Sequence, residues 1–462
     1  MPQFKSIDID FLKKYDKPGP RYTSYPTAPI FSQDFNAEKF REEIIKTNNN
    51  IELPDLSLYL HFPYCDTLCY FCGCTMLVTH DRNNIHNYNE YIRKEIDLAL
   101  NLISKSRKVS QLHWGGGSPS YLTPDEIMDV GMHLKNNFNY SGDIEASVEI
   151  DPRGLTFEHM KAFRECGFNR ISMGVQDFNI HVQKAVNRIQ PENITMDAIN
   201  WSRELGFQSI NLDLIYGLPY QTYETFEHTL DKVIGISPDR IAVFNYAHVP
   251  WLKKHQNIID PDTIPPIESK LKILKMTIEK LTSANYWYIG MDHFAKPDDE
   301  LAIAQKNKTL YRNFQGYSTK AGCDVYAFGM SAISQFRNIY AQNHKELKDY
   351  YTSISEGMFA THAGYKMTED DHIRKFVIMN LMCHLEINKK DVEYKFGIKF
   401  NDYFADSLTK LKQFEDEGLI SHSNDNITVA ETGKLIIRNI AMCFDAYLDK
   451  MMSGKPVFSR TV

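Results

Sequence analysis

The sequence lacks any apolar run long enough to cross a membrane, and its first residues lack the apolar stretch of a signal peptide. We therefore expect a cytoplasmic protein. An excess of basic residues is also missing. The formal net charge of the 462 residues is -7, which argues against nucleic-acid binding by bulk electrostatics. With 43% hydrophobic residues, the chain can bury one large domain and smaller attachments.

Cysteine is scarce outside one short segment. Four cysteines lie far apart in the sequence, and in a reducing compartment we expect them to remain buried thiols rather than disulfides. These are Cys166, Cys323, Cys383 and Cys443.

The other four cysteines fall in one run: Cys65, Cys69, Cys72 and Cys74. A structural zinc site normally uses two separated ligand pairs, and the sequence has no comparable second cluster of ligands. Three thiolates on one loop can instead hold three corners of an iron–sulfur cube and leave the fourth iron open. Spacing alone does not decide which of the four cysteines is omitted. Zinc binding and free thiols are the alternatives.

Short apolar runs alternate with segments of helical period between residues 56 and 247, which is typical of βα repeats around a parallel sheet. The predicted strands are 57–62, 111–114, 145–150, 170–175, 209–215 and 240–246. The predicted helices between them include 88–104, 124–137, 156–166 and 196–205. The pattern predicts an α/β fold, a partial (β/α)6 barrel of the TIM type.

Each predicted strand ends in residues with chemical or conformational meaning. In a β/α barrel the carboxyl ends of the strands form the active face, so these residues should converge there. An open doubly wound sheet is the alternative, in which a ligand would bind at a single switch point.

Two further regions flank the barrel. Residues 1–54 form an N-terminal extension in which 18–26 is rich in proline and tyrosine, so it should be an extended strap that packs on the surface or covers a substrate. The barrel and its extension span 55–360, including a predicted helix 267–284 and strand 286–291. Residues 361–462 should form a smaller, mainly helical domain with a helix starting at Thr368, a hairpin at 419–420 and 427–429, and a final helix 434–448. It faintly resembles a winged helix.

The spacing Cys65-x-x-x-Cys69-x-x-Cys72, with Phe71 before the last cysteine, resembles the signature of radical S-adenosylmethionine enzymes. The resemblance implies that the open iron of a 4Fe-4S cluster chelates the methionine end of S-adenosylmethionine. One electron then cleaves the sulfonium and yields a 5′-deoxyadenosyl radical.

Motifs along nearly the whole chain resemble the oxygen-independent coproporphyrinogen III oxidases: PRYTSYP at 20–26, Cys74, HWGGGSP at 113–119, SMGVQDF at 172–178 and DLIYGLP at 213–219. The resemblance implies oxidative decarboxylation of two propionates of coproporphyrinogen III, giving protoporphyrinogen IX in haem biosynthesis. It further implies two S-adenosylmethionine molecules and an electron donor such as flavodoxin or ferredoxin. We expect a monomer that binds no nucleic acid.

The resemblance also assigns residues. Cys65, Cys69 and Cys72 would hold the cluster, and Cys74 would complete the catalytic set. Contacts to S-adenosylmethionine or the cluster are implied for Tyr59, Phe71, Gly116, Gly117, Ser118 and Glu149. A second S-adenosylmethionine would meet Gln176, Arg188 and Asp213, with Ala247 and Ile333 lining the same cavity.

Four carboxylates on the implied substrate require local cations, and Arg21, Arg312 and Arg337 are candidates by context. His61, His113, His248 and His293 also adjoin motifs, and we expect structural roles for them apart from proton handling. Two other functions are open: a haem-trafficking relative without decarboxylase activity, and a metal-binding adaptor or DNA-binding redox sensor.

Overall fold

The computed structural model describes residues 7–451 and 458–461. Its strands, in chain order, are β1 (Leu56–Phe62), β2 (Tyr64–Cys65), β3 (Leu77–Val78), β4 (Lys108–Gly116), β5 (Asn139–Ile150), β6 (Arg170–Gln176), β7 (Ser209–Tyr216), β8 (Arg240–Asn245), β9 (Trp287–Gly290), β10 (His293–Ala295), β11 (Tyr311–Asn313), β12 (Gly316–Ser318), β13 (Asp324–Phe328), β14 (Ile333–Gln335), β15 (Ile339–Asn343), β16 (Thr361–Lys366), β17 (Glu386–Asn388), β18 (Ile420–His422) and β19 (Asn426–Val429).

The α-helices are α1 (Ile9–Tyr15), α2 (Ala37–Asn48), α3 (Arg82–Leu100), α4 (Pro124–Asn137), α5 (Phe157–Glu165), α6 (Ile180–Ala185), α7 (Glu192–Glu204), α8 (Tyr223–Ile236), α9 (Ile267–Ser283), α10 (Glu300–Lys306), α11 (Leu347–Ser355), α12 (Glu369–His384), α13 (Lys389–Phe396), α14 (Phe400–Tyr403), α15 (Ala405–Asp416), α16 (Ile437–Ala441) and α17 (Leu448–Met451).

Twelve strands of the described residues form one sheet in the order β16-β15-β14-β13-β1-β4-β5-β6-β7-β8-β10-β9. Its centre is β1, β4, β5, β6, β7 and β8, all parallel, with helices following the strands. These are the six predicted strands, so the (β/α)6 interpretation is confirmed. Antiparallel pairs extend the sheet at both ends. The predicted strand 286–291 is β9, at one edge.

Side chains alternate sharply across the central strands. On β1, Leu58 and Leu60 are fully buried beneath the helices, whereas Tyr59 and His61 point to the opposite face of the sheet. The outer face of the neighbouring β4 carries Trp114, which is fully buried and packs edge-to-face on Phe168 with ring centroids 5.0 Å apart. The apolar core therefore lies between sheet and helices, and the polar side chains line the inside of the barrel.

Polar contacts close the barrel at the amino ends of its strands. Gln111 donates to Glu145 at 3.0 Å and to Ser318 at 3.0 Å, which ties β12 beneath the strands. Arg170 pairs with Glu300 at 2.6 Å, and Arg240 donates to Asp299 at 2.8 Å. Because these side chains fill the amino end, a large ligand would have to reach the barrel interior from the carboxyl edge.

The strap at 18–26 is held by the end of the chain. Tyr22 and Tyr25 are buried, and the Tyr22 hydroxyl donates to Asp445 at 3.0 Å. Arg438 donates to the carbonyls of Pro20, at 2.9 Å, and Gly19. The predicted strap is thus an interior element between the C-terminal region and the carboxyl edge of the barrel.

The C-terminal region begins with α12, whose start at Thr368 is stabilised by the expected capping box with Asp371. The predicted hairpin is β18 and β19, joined by β17 into a three-stranded sheet. β16 still belongs to the large sheet, so its hydrogen bonding extends six residues beyond 360, the predicted end of the barrel and its extension. No helix in the described ranges is long and apolar enough to cross a membrane.

The prediction of a single helix over 434–448 is wrong. The segment is divided into a 3-10 turn (Thr432–Ile436), α16, and a second 3-10 turn (Met442–Phe444). Arg438 and Asn439 on α16 are buried and bond to carbonyls of the N-terminal extension. These tertiary contacts position the segment, and helical periodicity alone does not reveal them.

We expect Arg438→Met to destabilise the protein by roughly 3 kcal/mol or more, because it leaves several buried carbonyls without a donor, each at about 1–3 kcal/mol. Urea unfolding followed by circular dichroism measures this. The exposed Lys412→Met, which removes only a pair with Asp416 on α15, should leave stability unchanged. Equal stability of the two variants would contradict the assignment of Arg438 as the anchor of the strap.

Candidate active site

The four clustered cysteines lie on the loop that follows β1, at the carboxyl edge of the barrel. All are reduced; Cys69 is buried, Cys65 and Cys72 are half-buried and Cys74 is exposed. The short parallel pair β2 and β3 closes the base of the loop. Within the described ranges, no three His, Cys, Asp or Glu side chains converge as a single metal ion would require.

Neighbouring elements hold the backbone of this loop. Side chains from two segments donate to its carbonyls: one segment follows β8 and the other follows α6. These bonds are His255 to Cys72 at 2.8 Å, Gln256 to Phe71 at 3.0 Å, Lys253 to Cys74 at 2.8 Å and Asn187 to Leu68 at 2.8 Å. The ring of Phe71 packs against a small apolar cluster that includes Val182 and Leu218. The loop is therefore tied to the barrel independently of any metal.

Two arginines approach the sulfur of Cys69. Arg153 Nη2 lies 3.3 Å from Cys69 Sγ, and Arg188 Nη1 lies 3.6 Å away. Asp151 bridges the two guanidinium groups, at 2.7 Å from Arg153 and 2.8 Å from Arg188. Burial works to raise the pKa of Asp151, but Arg188 and Arg153 hold it below its usual value. The sulfur of Cys69 thus faces a pair of cations joined by Asp151.

The remaining thiols differ in acidity. A hydrogen bond from Cys74, helped by His255 and Lys253, lowers the pKa of Cys72 to about 6 against the effect of burial. The same bond raises the pKa of Cys74. Burial and the neighbouring Cys72 and Cys69 raise the pKa of Cys65 to about 12. Metal binding must therefore displace a proton from Cys65, whereas Cys72 is the more acidic of the two thiols.

Three glycines end β4 directly beside the cysteine loop. A Cβ on Gly117 would clash with the Pro63 carbonyl oxygen, and one on Gly115 would lie 2.8 Å from the Glu149 carboxylate. The N–H groups of Gly117 and Ser118 donate to Phe62 at 2.7 Å and Tyr64 at 3.0 Å. Because these two N–H groups are already hydrogen-bonded within the protein, an ammonium group bound beside the three glycines would contact backbone carbonyl oxygens.

Glu149 links this glycine edge to the barrel interior. Its carboxylate accepts from the Gly116 N–H at 3.2 Å and lies 3.2 Å from His113 Nε2. Burial opposes its ionisation, yet the His113 contact keeps the pKa of Glu149 below its usual value. Tyr59 stacks on His113 with ring centroids 5.8 Å apart and bonds to His61 at 3.1 Å. Tyr59, Gly116 and Glu149 thus lie on one face of the sheet.

Gln176 and Asp213 lie on the neighbouring strands. The backbone of Gln176 is left-handed (φ 66°), and its buried Oε1 has no hydrogen-bond partner within the described residues. Asp213 accepts from Ser172 at 2.9 Å and Asn211 at 2.8 Å, and burial raises its pKa to about 7. Arg188 lies nearby, but its guanidinium is already bonded to the Gly174 carbonyl at 2.7 Å and to Asp151.

The remaining candidate residues are distributed around the barrel opening. Ala247 follows β8 and its carbonyl accepts from Gln256 at 3.3 Å, whereas Ile333 begins β14 on the other side of the opening. His293 is half-buried near Arg312. Desolvation, helped by the charge of Arg312, lowers the pKa of His293 to about 3. His248 bonds to Tyr246 at 2.9 Å.

The three candidate arginines lie in different surroundings. Arg21 pairs with Asp292 and lies over the Phe244 ring, with its guanidinium carbon 5.6 Å from the centroid. Arg312 is only 3% exposed and lies 4.5 Å from the Tyr317 centroid, and its Nε and Nη1 have no hydrogen-bond acceptor among the described residues. Arg337 lies in the turn after β14, at the opposite end of the barrel. The expectation that Arg337 lies beside the substrate is therefore not supported by its position.

Sequence reasoning missed Arg153 and the clamp formed by Lys253, His255 and Gln256. Arg153 lies two residues beyond Asp151 at a strand end, which is a signal that could have identified it. The clamp lies in an irregular segment more than 180 residues from Phe71, and no local pattern marks it.

The residues fit an iron–sulfur cluster and an adenosylated amino acid. Soft thiolates share one loop, a cationic pair faces one sulfur, and the adjoining glycines leave backbone open to a small ligand. The unpartnered Oε1 of Gln176 offers an acceptor to a hydroxyl or amino group.

Comparison with solved structures agrees with this geometry. The fold matches the structure described as "Coproporphyrinogen III oxidase (HemN) from Escherichia coli is a Radical SAM enzyme" with a TM-score of 0.91 and 44% identity, covering 96% of this chain and 100% of that one. Residues 367–436 match the HemN C-terminal domain model.

Residues 59–233 match the Radical SAM superfamily, so the fold and the cysteine loop define a radical S-adenosylmethionine protein. Relatives named oxygen-independent coproporphyrinogen III oxidase are 44% identical in Synechocystis sp. (99% of this chain, 98% of the relative), 45% in Escherichia coli K12 (98% and 98%) and 42% in Helicobacter pylori (99% and 100%). The chain belongs to the oxygen-independent coproporphyrinogen III oxidase family. Membership of the superfamily implies a 4Fe-4S cluster and S-adenosylmethionine as cofactors.

The raised pKa of Asp213 predicts a pH-dependent stability. A folded pKa of about 7 lies above the ordinary value of 3.8, so the contribution of Asp213 is fully present below about pH 4 and is lost as pH rises through 7. Asp213→Asn, which mimics the protonated acid, should therefore become increasingly more stable than the wild type between pH 5 and 8. Urea unfolding of the metal-free protein measures the difference, with the exposed Asp197→Asn as control. A difference that is constant with pH would contradict this prediction.

Proposed function

We propose that this protein catalyses the oxygen-independent oxidative decarboxylation of two propionate side chains of coproporphyrinogen III, giving protoporphyrinogen IX in haem biosynthesis. The observation that carries the proposal is the convergence of the cysteine loop, the glycine edge and a buried guanidinium on one opening of the barrel. Full-length identity of 42–46% to relatives named for this reaction supports it. Each propionate that becomes a vinyl group loses carbon dioxide, one hydrogen atom and one electron.

Cys65, Cys69 and Cys72 would hold the cluster, with Cys74 donating to Cys72. Carbonyls of the glycine edge, with Glu149, Tyr59 and Ser118 nearby, would position S-adenosylmethionine. When bound, these cofactors supply a 5′-deoxyadenosyl radical able to abstract a hydrogen atom from a propionate carbon. The protein orients the reactants and keeps water away from them.

A second S-adenosylmethionine would occupy the side of the opening formed by Gln176, Asp213, Ala247 and Ile333. The unpartnered Gln176 Oε1 supports this placement. Arg188 would contribute less directly than the resemblance implies, because Asp151 and Gly174 already occupy its guanidinium. The positive charge of Arg188 instead lies beside the sulfur of Cys69 on the cysteine loop.

Arg312 is the best candidate to bind a substrate carboxylate. Its buried N–H groups lack acceptors among the described residues, and a buried unpaired charge is costly unless an anion joins it. Arg21 lies on the strap near the same interior, paired with Asp292. The strap therefore both covers the opening and brings a second cation to it.

A reduced one-electron carrier such as flavodoxin or ferredoxin would supply electrons, and we propose that the protein acts as a monomer. The rival function is haem trafficking by a relative that retains the cysteine signature. An anaerobic assay with the reconstituted protein separates them: vinyl products detected by mass spectrometry support the oxidase, and tight haem binding without such products supports the rival.

Cys69→Ala should lose the cluster and the formation of both 5′-deoxyadenosine and vinyl products. The thiol is one of three proposed ligands, and its loss also leaves Arg153 and Arg188 without their sulfur partner. Iron and sulfide content and the visible absorption of oxygen-free preparations measure cluster loading. Cys443→Ala, which removes a buried thiol far from the loop, should retain the cluster. An intact cluster in Cys69→Ala would disprove this ligand assignment.

Arg312→Met should raise the KM for coproporphyrinogen III about tenfold or more, because a charge-assisted hydrogen bond contributes about 1.5–3 kcal/mol. Cluster content should remain unchanged, since Arg312 lies outside the cysteine loop. Anaerobic kinetics and iron analysis measure the two effects. Arg41→Met, on the exposed face of α2, serves as the matched control. An unchanged KM in Arg312→Met would rule out this carboxylate contact.

A further inference from the structure

A cavity of about 1100 Å³ opens at the amino end of the barrel, opposite the candidate active site. It lies between the main sheet and the C-terminal region. Its lining comes from the end of α2 and the residues after it, residues 310–311 and 322–324, the turn between β14 and β15, and the helices α12 and α13. We call it the amino-end cavity. Pockets between such packed parts of a chain are common ligand sites.

Strand register shows that this cavity is separate from the active site. Leu56, at the start of β1, pairs with Asp324, at the start of β13, and Asp324 lines the cavity. The cysteine loop follows the other end of β1. The satisfied polar plug of Gln111, Glu145 and Ser318 lies inside the barrel between them.

One part of the amino-end cavity wall is apolar and partly aromatic. Phe336, Phe376, Phe396, Tyr311 and Met379 line it. Such a lining favours a ligand with a flat or otherwise apolar body, because dispersion and desolvation of aromatic faces would stabilise it.

Four cations line the same cavity. Lys46 lies 4.0 Å from Glu43, and the other three are Lys375, Lys395 and Arg337. The ammonium of Lys375 lies 5.0 Å from the Tyr340 centroid, and that of Lys395 lies 4.2 Å from the Phe376 centroid. No ion pair joins any of the three to a carboxylate in the described part of the chain. Burial lowers the pKa of Lys375 to about 8, with no anion to offset it.

Carboxylates on the cavity wall do not neutralise this group. Glu43 lies 3.5 Å from Lys366, and Asp324 pairs with Arg107 at 2.6 Å. Glu52 and Glu369 also line the cavity, but neither contributes to the electrostatic shifts of Lys375 or Lys395. The charge that acts on Lys395 is instead that of Arg337, which is repulsive.

A buried acceptor completes the lining. Gln335 is 5% exposed, and its amide donates to the Tyr311 hydroxyl at 3.2 Å. Its Oε1 has no partner within the described residues. Buried polar atoms are normally hydrogen-bonded, so this oxygen is an acceptor available to a donor group on a ligand in the cavity.

We propose that the amino-end cavity binds a small organic anion in which an aromatic body carries a carboxylate or phosphate group. The acidic group is held by Lys375, Lys395 and Arg337, and the body lies against Phe376, Phe396 and Phe336. A hydroxyl or amino group on the ligand can donate to Gln335. This site is independent of the proposed decarboxylation.

Titration of the full-length protein with 8-anilinonaphthalene-1-sulfonate tests the proposal, because its fluorescence rises on transfer to an apolar site. Lys375→Met and Lys395→Met should each weaken binding about tenfold, since each removes a charge-assisted contact but keeps an apolar chain. Circular dichroism verifies folding, and either variant alone suffices if the other misfolds. Lys306→Met removes an exposed lysine stacked on Trp287 and should leave the affinity within about twofold.

Competition identifies the acidic group. 1-Naphthoate and 1-naphthyl phosphate should displace the probe to different extents, which tells a carboxylate ligand from a phosphate ligand. Inorganic phosphate at the same concentration should not displace it, because it lacks an aromatic body. Displacement by inorganic phosphate alone would overturn the stated ligand class.

Arg312→Met provides the other decisive comparison, because Arg312 is a buried cation inside the barrel that has no ion pair among the described residues. It should leave probe affinity within about twofold. If Arg312→Met abolishes binding while Lys375→Met and Lys395→Met do not change it, the probe binds in the barrel and the proposal fails. Unchanged affinity in both lysine variants would likewise refute it.

Discussion

The parallel register of β1, β4 and β5 is the constraint on which the site depends. It places Tyr59 beside His113, and His113 beside Ser147, across three strands. Two residues further along, the same register brings the glycine edge and Glu149 next to the cysteine loop. A slip of one residue would turn these polar groups toward the helices and the leucines toward the barrel interior. The chemistry therefore depends on hydrogen bonding between strands that are distant in the sequence.

Both ends of the barrel hold buried polar groups. At the amino end, Arg170 and Arg240 pair with carboxylates on and just before α10, and Gln111 is bonded on both sides. Inside the barrel, Gln176 and Arg312 retain buried polar atoms without partners among the described residues. Because an unpaired buried group is costly, a ligand that bonds to Gln176 or Arg312 would remove that cost.

The chain termini complete the opening that the central strands create. Arg21 on the strap pairs with Asp292, and Arg438 donates hydrogen bonds to backbone carbonyls of the strap. The C-terminal region therefore acts on the active site through the strap. Its other face, on α12 and α13, lines the amino-end cavity, so one small region contributes to both compartments.

Local patterns in the sequence were sufficient for the six central strands, the capping box at Thr368 and the cysteine loop, because periodicity, capping and ligand spacing are encoded over a few residues. They did not reveal that Arg153 faces Cys69, that Arg188 is bonded by Asp151, or that Arg337 lies at the far end of the barrel. The helix expected over 434–448 was divided by contacts with the N-terminal extension. The sequence by itself determined the kind of fold and the donor atoms. Only the tertiary structure decided which charges meet those atoms, because such pairings join residues far apart in the chain and depend on burial that no local pattern records.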